Sequence, residues 1–123
     1  MKQRATVICR RGRQSIFVRR GGIEMESSWM APHAFRIADP AAFRELEEDT
    51  GMKSAEMLLI ARFETFSVEH FVFVADFEKD YLAPMPLREI KACQWFSDDA
   101  KGLRLTRDSE LILRTFRRDI RSI

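Results

Sequence analysis

Two runs near the start of the chain, RATVICR (residues 4–10) and SIFVRR (15–20), are rich in β-branched and apolar residues, with RGRQ between them. Gly12 among polar neighbours makes this a predicted β-hairpin. GGIEMESS (21–28) reads as a loop, and WMAPHAF (29–35), apolar but interrupted by Pro32, as a short or edge strand. ADPAAFRELEEDTG then predicts a helix over about residues 40–50. Asp39 suits the N-cap, Pro40 the first helical position, and Gly51 the position just past the end. AEMLLIARFETF (55–66) and EHFVFVADF (69–77) predict two strands with a turn near Ser67. In the second, Phe71, Phe73, Ala75 and Phe77 alternate with His70, Val72, Val74 and Asp76. Both sets are mainly apolar, so this strand is expected inside a sheet covered on both faces. REIKACQWF (88–96) reads as a further strand and SDDAKGL as a helical turn. From about Thr106 the chain predicts an amphipathic helix, with Leu113, Phe116 and Ile120 in one stripe and Ile112 beside it. Arg114, Arg117, Arg118 and Arg121 lie mainly outside that stripe. Strands, helix, strands, helix is the order of an α+β domain: an α/β/α sandwich whose mixed sheet carries helices on both faces.

Composition narrows the class. The 123 residues suit one domain, 1–123, and 46% apolar with 33% charged residues describes a globular chain rather than a disordered one. The net charge of +2 hides an uneven distribution. Lys2, Arg4, Arg10, Arg11, Arg13, Arg19 and Arg20 face no acid within the first twenty residues, and six arginines follow from position 104. Such ends could attract a phosphorylated partner or simply point outward from strands and a solvated helix face. Cys9 and Cys93 sit in strand-like runs without CxxC spacing, as reduced thiols do. The charged N-terminus lacks the apolar core of a signal peptide, and no stretch approaches a membrane span, so a cytoplasmic protein without a membrane partner is expected.

The acidic helix carries the candidate chemistry. At 100° per residue, with Glu45 at zero, Glu48 falls near −60° and Asp49 near +40°, so the three acids cluster. Ala42, Leu46, Thr50 and Phe43 fill the adjoining arc, the expected core face, while Glu47 points away. Like charges at these spacings each destabilise a helix by roughly 0.2–0.5 kcal/mol. Glu48 and Asp49 near its negative end add about 0.3–1 kcal/mol each. Arg44 relieves part of this. A solvated surface could tolerate the cluster. Alternatively, a divalent ion would turn it into a site, since carboxylate oxygens suit Mg²⁺ or Mn²⁺.

Arg44-Glu45-Leu46-Glu47-Glu48-Asp49-Thr50-Gly51-Met52 resembles the C-terminal half of the Nudix box, Arg-Glu-apolar-any-Glu-Glu-any-Gly-apolar. Eight of nine positions match, Asp49 standing where Glu is usual. Trp29 and Pro32 before the helix, and Glu89, Ile90, Trp95 and Phe96 before the last helix, extend the likeness over almost the whole chain. The first half of the box is shortened and degenerate: its glycine and glutamate positions hold Met30 and Arg36. Aligned on Trp29 and Pro32, the preceding loop is about four residues short, with His33 and Ala34 in place of two glycines.

The resemblance implies a Nudix-like fold and a Mg²⁺- or Mn²⁺-dependent hydrolase acting on a nucleotide or nucleoside diphosphate derivative. It implies Glu48 and Asp49 as metal ligands, with Glu45 holding metal or activating the attacking water. Arg44 would orient a carboxylate through a charge-assisted pair. His33, at a glycine position of the family, could touch substrate or metal, and Arg20 at the end of the second strand could meet phosphate; space-filling and surface roles are the alternatives. His70 is expected to be structural, and Trp29 and Phe35 to pack in the core or stack on a base. A second reading is a Nudix-fold module that has lost turnover and binds nucleotides or RNA through its basic flanks. A third is a small basic RNA-binding domain unrelated to metal.

Overall fold

The computed structural model describes residues 2–20, 28–34, 47, 50–52, 57–65, 67–78, 81, 85–86 and 90–121. Six strands are present among them: β1 (Lys2–Arg11), β2 (Gln14–Arg20), β3 (His33–Ala34), β4 (Leu58–Thr65), β5 (Val68–Asp76) and β6 (Ile90–Ser97). One helix, α1 (Arg107–Arg121), closes the order. The strands form one mixed sheet in the order β4-β5-β1-β2-β6, with β3 also paired to β1. This is the α+β architecture read from the sequence.

The hairpin is tighter than RGRQ suggested. Both strands run through Arg11 and Gln14, leaving only Gly12 and Arg13 in the loop. Gly12 has φ +59° and Arg13 lacks a positive φ. Glycine at the first of two loop positions is what a type II′ turn requires, and the twist of that turn matches the twist of the strands.

β1 is the spine of the sheet. It pairs in parallel with β5 over nine residues, from Lys2↔Val68 to Arg10↔Asp76. Side chains along both strands alternate between faces. Val7, Cys9, Phe73 and Ala75 enter one buried cluster with Ile16, Trp95 and Met52. Ile8, Val72 and Val74 enter another with Phe17, Ile112, Leu113 and Ile120, which brings α1 onto that face. β5 is therefore interior and covered on both faces, as its two apolar sides predicted. Burying each of the Val, Ile, Leu, Phe and Met side chains among these stabilises the fold by roughly 1.5–3 kcal/mol.

β1 and β2 then part company. Their pairing holds at Arg10↔Ser15 and Arg11↔Gln14. Continued, it would set Thr6 opposite Arg19, but Thr6 pairs with His33 and Ala5 with Ala34. Met30 meanwhile exchanges hydrogen bonds with Val18 of β2 (2.8 and 2.9 Å). Residues 30–34 thus wedge between two diverging strands, and the expected short strand is internal rather than an edge. Pro32 is tolerated there because its carbonyl, not a missing N–H, meets Val7 N–H (2.8 Å).

The expected helical turn at SDDAKGL is instead two successive i→i+3 turns, closed by Ala100 N–H to Ser97 O (2.9 Å) and Leu103 N–H to Ala100 O (3.0 Å). Ala100 between them has φ +52°, a left-handed conformation that prevents helix propagation. Arg4 is a second departure. Expected outward, it is buried and paired with Asp108 in the first turn of α1.

Phe17→Ala should lower the unfolding free energy by about 3–5 kcal/mol in urea titration, since Phe17 is fully buried against α1. Leu58→Ala, at an exposed position of β4, should change it by less than about 0.5 kcal/mol.

Candidate functional site

The acidic segment enters the description at its end. Glu47 and Thr50 are helical, and Gly51 follows with φ +70°. Gly51 N–H donates to Glu47 O at 2.8 Å, the single bond of a left-handed helix stop. Two further bonds tie this terminus down. Thr50 O accepts from Met85 N–H (3.0 Å), and Thr50 Oγ1 accepts from Met52 N–H (3.2 Å). Met52 is buried among Val7, Cys9, Ile16, Phe73 and Trp95. The helix end therefore falls at the predicted glycine, and Met52 just past it is buried on the sheet face opposite α1.

Two residues test the phase of the wheel. Thr50 is buried and Glu47 exposed, which places one edge of the core arc where the sequence put it. Arg44, Glu45, Glu48 and Asp49 lie outside the described residues. Among the described residues no group of three His, Cys, Asp or Glu side chains converges as a metal site.

The other candidates separate into backbone and core. Arg20 ends β2 and pairs with Ile90 across a bulge, while His33 lies in β3 against Thr6. The backbone at both positions borders the place where β1 and β2 diverge. Trp29 is a packing residue. Its ring meets Phe96 edge-on at 4.8 Å, and the Arg19 guanidinium lies 5.2 Å from its centroid. Its backbone joins the wedge to the chain entering α1, through Trp29 N–H to Arg104 O (2.8 Å) and Thr106 N–H to Trp29 O (2.9 Å). Phe35 and Glu89 lie outside the described residues. Both cysteines are free thiols, Cys9 buried and Cys93 partly so. Burial pushes the Cys93 thiol up to about 11 and Cys9 further still, so neither is a ready nucleophile.

His70 is structural, as expected, and its setting was not legible in the sequence. It is fully buried, stacked on Phe63 (centroids 4.6 Å, planes 9° apart) and hydrogen-bonded through Nε2 to Thr65 Oγ1 at 2.6 Å. Burial lowers its pKa; the Asp108 carboxylate opposes this and the Arg4 charge adds to it. Nearby, Glu69 is held below the usual carboxylate range by hydrogen bonds from Arg62 and Gln3. Arg62 Nε and Nη2 reach its Oε2 at 3.1 and 2.5 Å.

No protein-family model matches the sequence, and no curated protein matches it. Solved structures do match the fold. The NUDIX domain of Shewanella oneidensis NrtR complexed with ADP ribose superposes with a TM-score of 0.79 at 13% identity, covering 96% of this chain and 87% of that one. A MutT NUDIX hydrolase from Burkholderia pseudomallei gives 0.76 at 17%, covering 92% and 95%. A bifunctional NMN adenylyltransferase/ADP ribose pyrophosphatase from Francisella tularensis, complexed with AMP and a Mn ion, gives 0.77 at 16%, covering 97% of this chain and 42% of that one. The fold of this chain is the Nudix fold.

Two outcomes are expected. Because the folded state disfavours charged His70, the unfolded chain binds the extra proton, and this contribution to stability is lost as pH falls below the ordinary value of about 6.5. Differential scanning calorimetry from pH 7.5 to 5 should show a falling Tm whose slope is reduced in His70→Phe. Gly51→Ala should lower stability by about 1–2 kcal/mol in urea titration, because alanine resists the left-handed φ held there.

Proposed function

We propose that residues 1–123 form one Nudix-like domain that hydrolyses a diphosphate linkage, in a nucleoside diphosphate-linked compound or a nucleoside triphosphate, with Mg²⁺ or Mn²⁺. The carrying observation is the acidic segment itself. It is a Nudix-type run of carboxylates ending at a left-handed Gly51, with Thr50 turned inward and Glu47 outward, in a chain with the Nudix fold. Glu48 and Asp49 would hold the ion, and Glu45 would hold it too or take the proton from the attacking water. Arg44 would orient one of these carboxylates by a charge-assisted hydrogen bond. An all-oxygen donor set matches the hardness of Mg²⁺ and Mn²⁺. When bound, the ion supplies charge neutralisation at the diphosphate oxygens and a water of lowered pKa. Arg20, whose backbone lies with that of His33 beside the divergence of β1 and β2, would meet a substrate phosphate, and His33 would touch the substrate. The ADP ribose held by the Shewanella domain and the AMP and Mn ion held by the Francisella protein support a nucleotide derivative as ligand and a divalent metal as cofactor.

A second reading, a binding module without turnover, is favoured by one feature. The two positions that hold glycines in the family are His33 and Ala34, and these form strand β3 against Ala5 and Thr6 rather than a glycine loop. Such a module would bind nucleotides or RNA through the basic flanks.

Purified protein should release monophosphate or pyrophosphate from members of a panel of nucleoside diphosphate sugars, ADP ribose and nucleoside triphosphates with millimolar Mn²⁺, as followed by phosphorus NMR. Glu45→Gln and Glu48→Gln should each lower kcat by at least about 100-fold with the Tm unchanged or raised. Tight nucleotide binding without metal-dependent turnover in the unaltered chain would select the binding module.

A further inference from the structure

A cavity of about 540 Å³ lies between the β1–β2 hairpin and the C-terminal half of α1. Ile8, Leu113 and Ile120 line it with apolar surface, Ser15 is buried beside them, and Arg10, Arg13, Arg117 and Asp98 supply its charges. The volume falls within the range of about 300–1,000 Å³ that holds small molecules. Ile8 belongs to the cluster under α1, whereas Met52, next to the acidic segment, belongs to the cluster on the other face. The cavity is therefore separated by the sheet from the face on which Met52 is buried.

Its cations are not equivalent. Arg10 is already committed: Nε and Nη2 grip Asp76 at 2.8 and 2.9 Å, and Nη1 donates to the Ile120 carbonyl. That grip ties β1 to the end of α1 and fixes one wall. Arg13 and Arg117 are exposed, and among the described residues neither side chain takes part in an ion pair or hydrogen bond. Asp99, which feels the charge of Arg117, is hydrogen-bonded to the Lys101 N–H and the Ser97 hydroxyl. Gly12 beside Arg13 adds no side chain, and a Cβ built there would meet nothing within 4 Å, so the mouth is open at the hairpin.

Two exposed guanidinium forks in a cavity that is also lined by buried Ile8, Leu113 and Ile120 suit a ligand with a compact anion at one end and a ring at the other. We propose that this cavity is a second ligand site, distinct from the acidic helix, that binds a small phosphate monoester of a ring-bearing alcohol. The phosphate would be held between Arg13 and Arg117, with the ring against Ile8, Leu113 and Ile120. Asp98 would accept a hydrogen bond from a ring hydroxyl or amine.

Phenyl phosphate is the probe, titrated into the full chain by calorimetry and by methyl NMR. Saturable binding is expected, with shifts at Ile8, Leu113 and Ile120 methyls. Affinity should weaken at least about tenfold in Arg13→Glu and in Arg117→Glu, recover in part in Arg117→Lys, and persist in Glu48→Gln. Inorganic phosphate should bind more weakly by a similar factor. Circular dichroism checks that each variant is folded, and the methyl shifts in the unaltered protein test the location without any variant. The proposal is overturned by the absence of binding, by shifts that avoid these methyls, by undiminished affinity in both charge reversals, or by inorganic phosphate binding as tightly as the ester.

Discussion

The parallel pairing of β1 with β5 is the constraint on which the rest of the structure depends. Nine consecutive residues of β1 are held in one register against β5, from Lys2 to Arg10. A slip of one residue would exchange the faces of every side chain in the pair. With the register held, Val7, Cys9, Phe73 and Ala75 face Met52 and Trp95, while Ile8, Val72 and Val74 face α1. Because parallel neighbours need a long crossover, the chain between them has room to carry both the wedge and the acidic segment.

The wedge follows from how β1 is shared. One strand has two hydrogen-bonding edges, and β5 occupies one along nearly its whole length. On the other, β2 holds only the end near the hairpin and residues 33–34 take over further along. The separation of β1 from β2 is where the backbone of Arg20 and His33 lies. Charges reinforce this arrangement across the sheet. Arg4 reaches Asp108 in the first turn of α1, and Arg10 reaches Asp76 and the Ile120 carbonyl near its other end. The helix is therefore clamped to the spine at both ends, and the basic N-terminal run serves packing more than the composition suggested.

The elements most legible in the sequence were those with local causes. β1, β2, β5 and β6 announce themselves by β-branched and aromatic runs, and α1 by its stripe of Ile112, Leu113 and Ile120. The end of the acidic helix was written in Gly51, whose φ of +70° is the conformation glycine enters most easily. What stayed hidden depends on distance along the chain. Arg4 and Asp108 are 104 positions apart, and nothing near Arg4 signals that it turns inward. The internal place of 29–34 depends on where β2 leaves β1, which no local pattern encodes. Ala100 has no sequence signal for its left-handed φ. The cavity beneath Arg13 and Arg117 joins a hairpin turn to a helix end and was equally invisible. At the acidic segment, the helix stop and one edge of its buried arc agree with the wheel, whereas the placement of Glu45, Glu48 and Asp49 rests on the sequence.

Glu45, Glu48 and Asp49 are proposed to share one divalent ion. The direct measurement is electron paramagnetic resonance of free Mn²⁺ titrated with the protein. One bound Mn²⁺ per chain is expected, lost when Glu45, Glu48 and Asp49 are replaced together by their amides. Equal Mn²⁺ uptake by the unaltered and amide-substituted chains, or none by either, would contradict it.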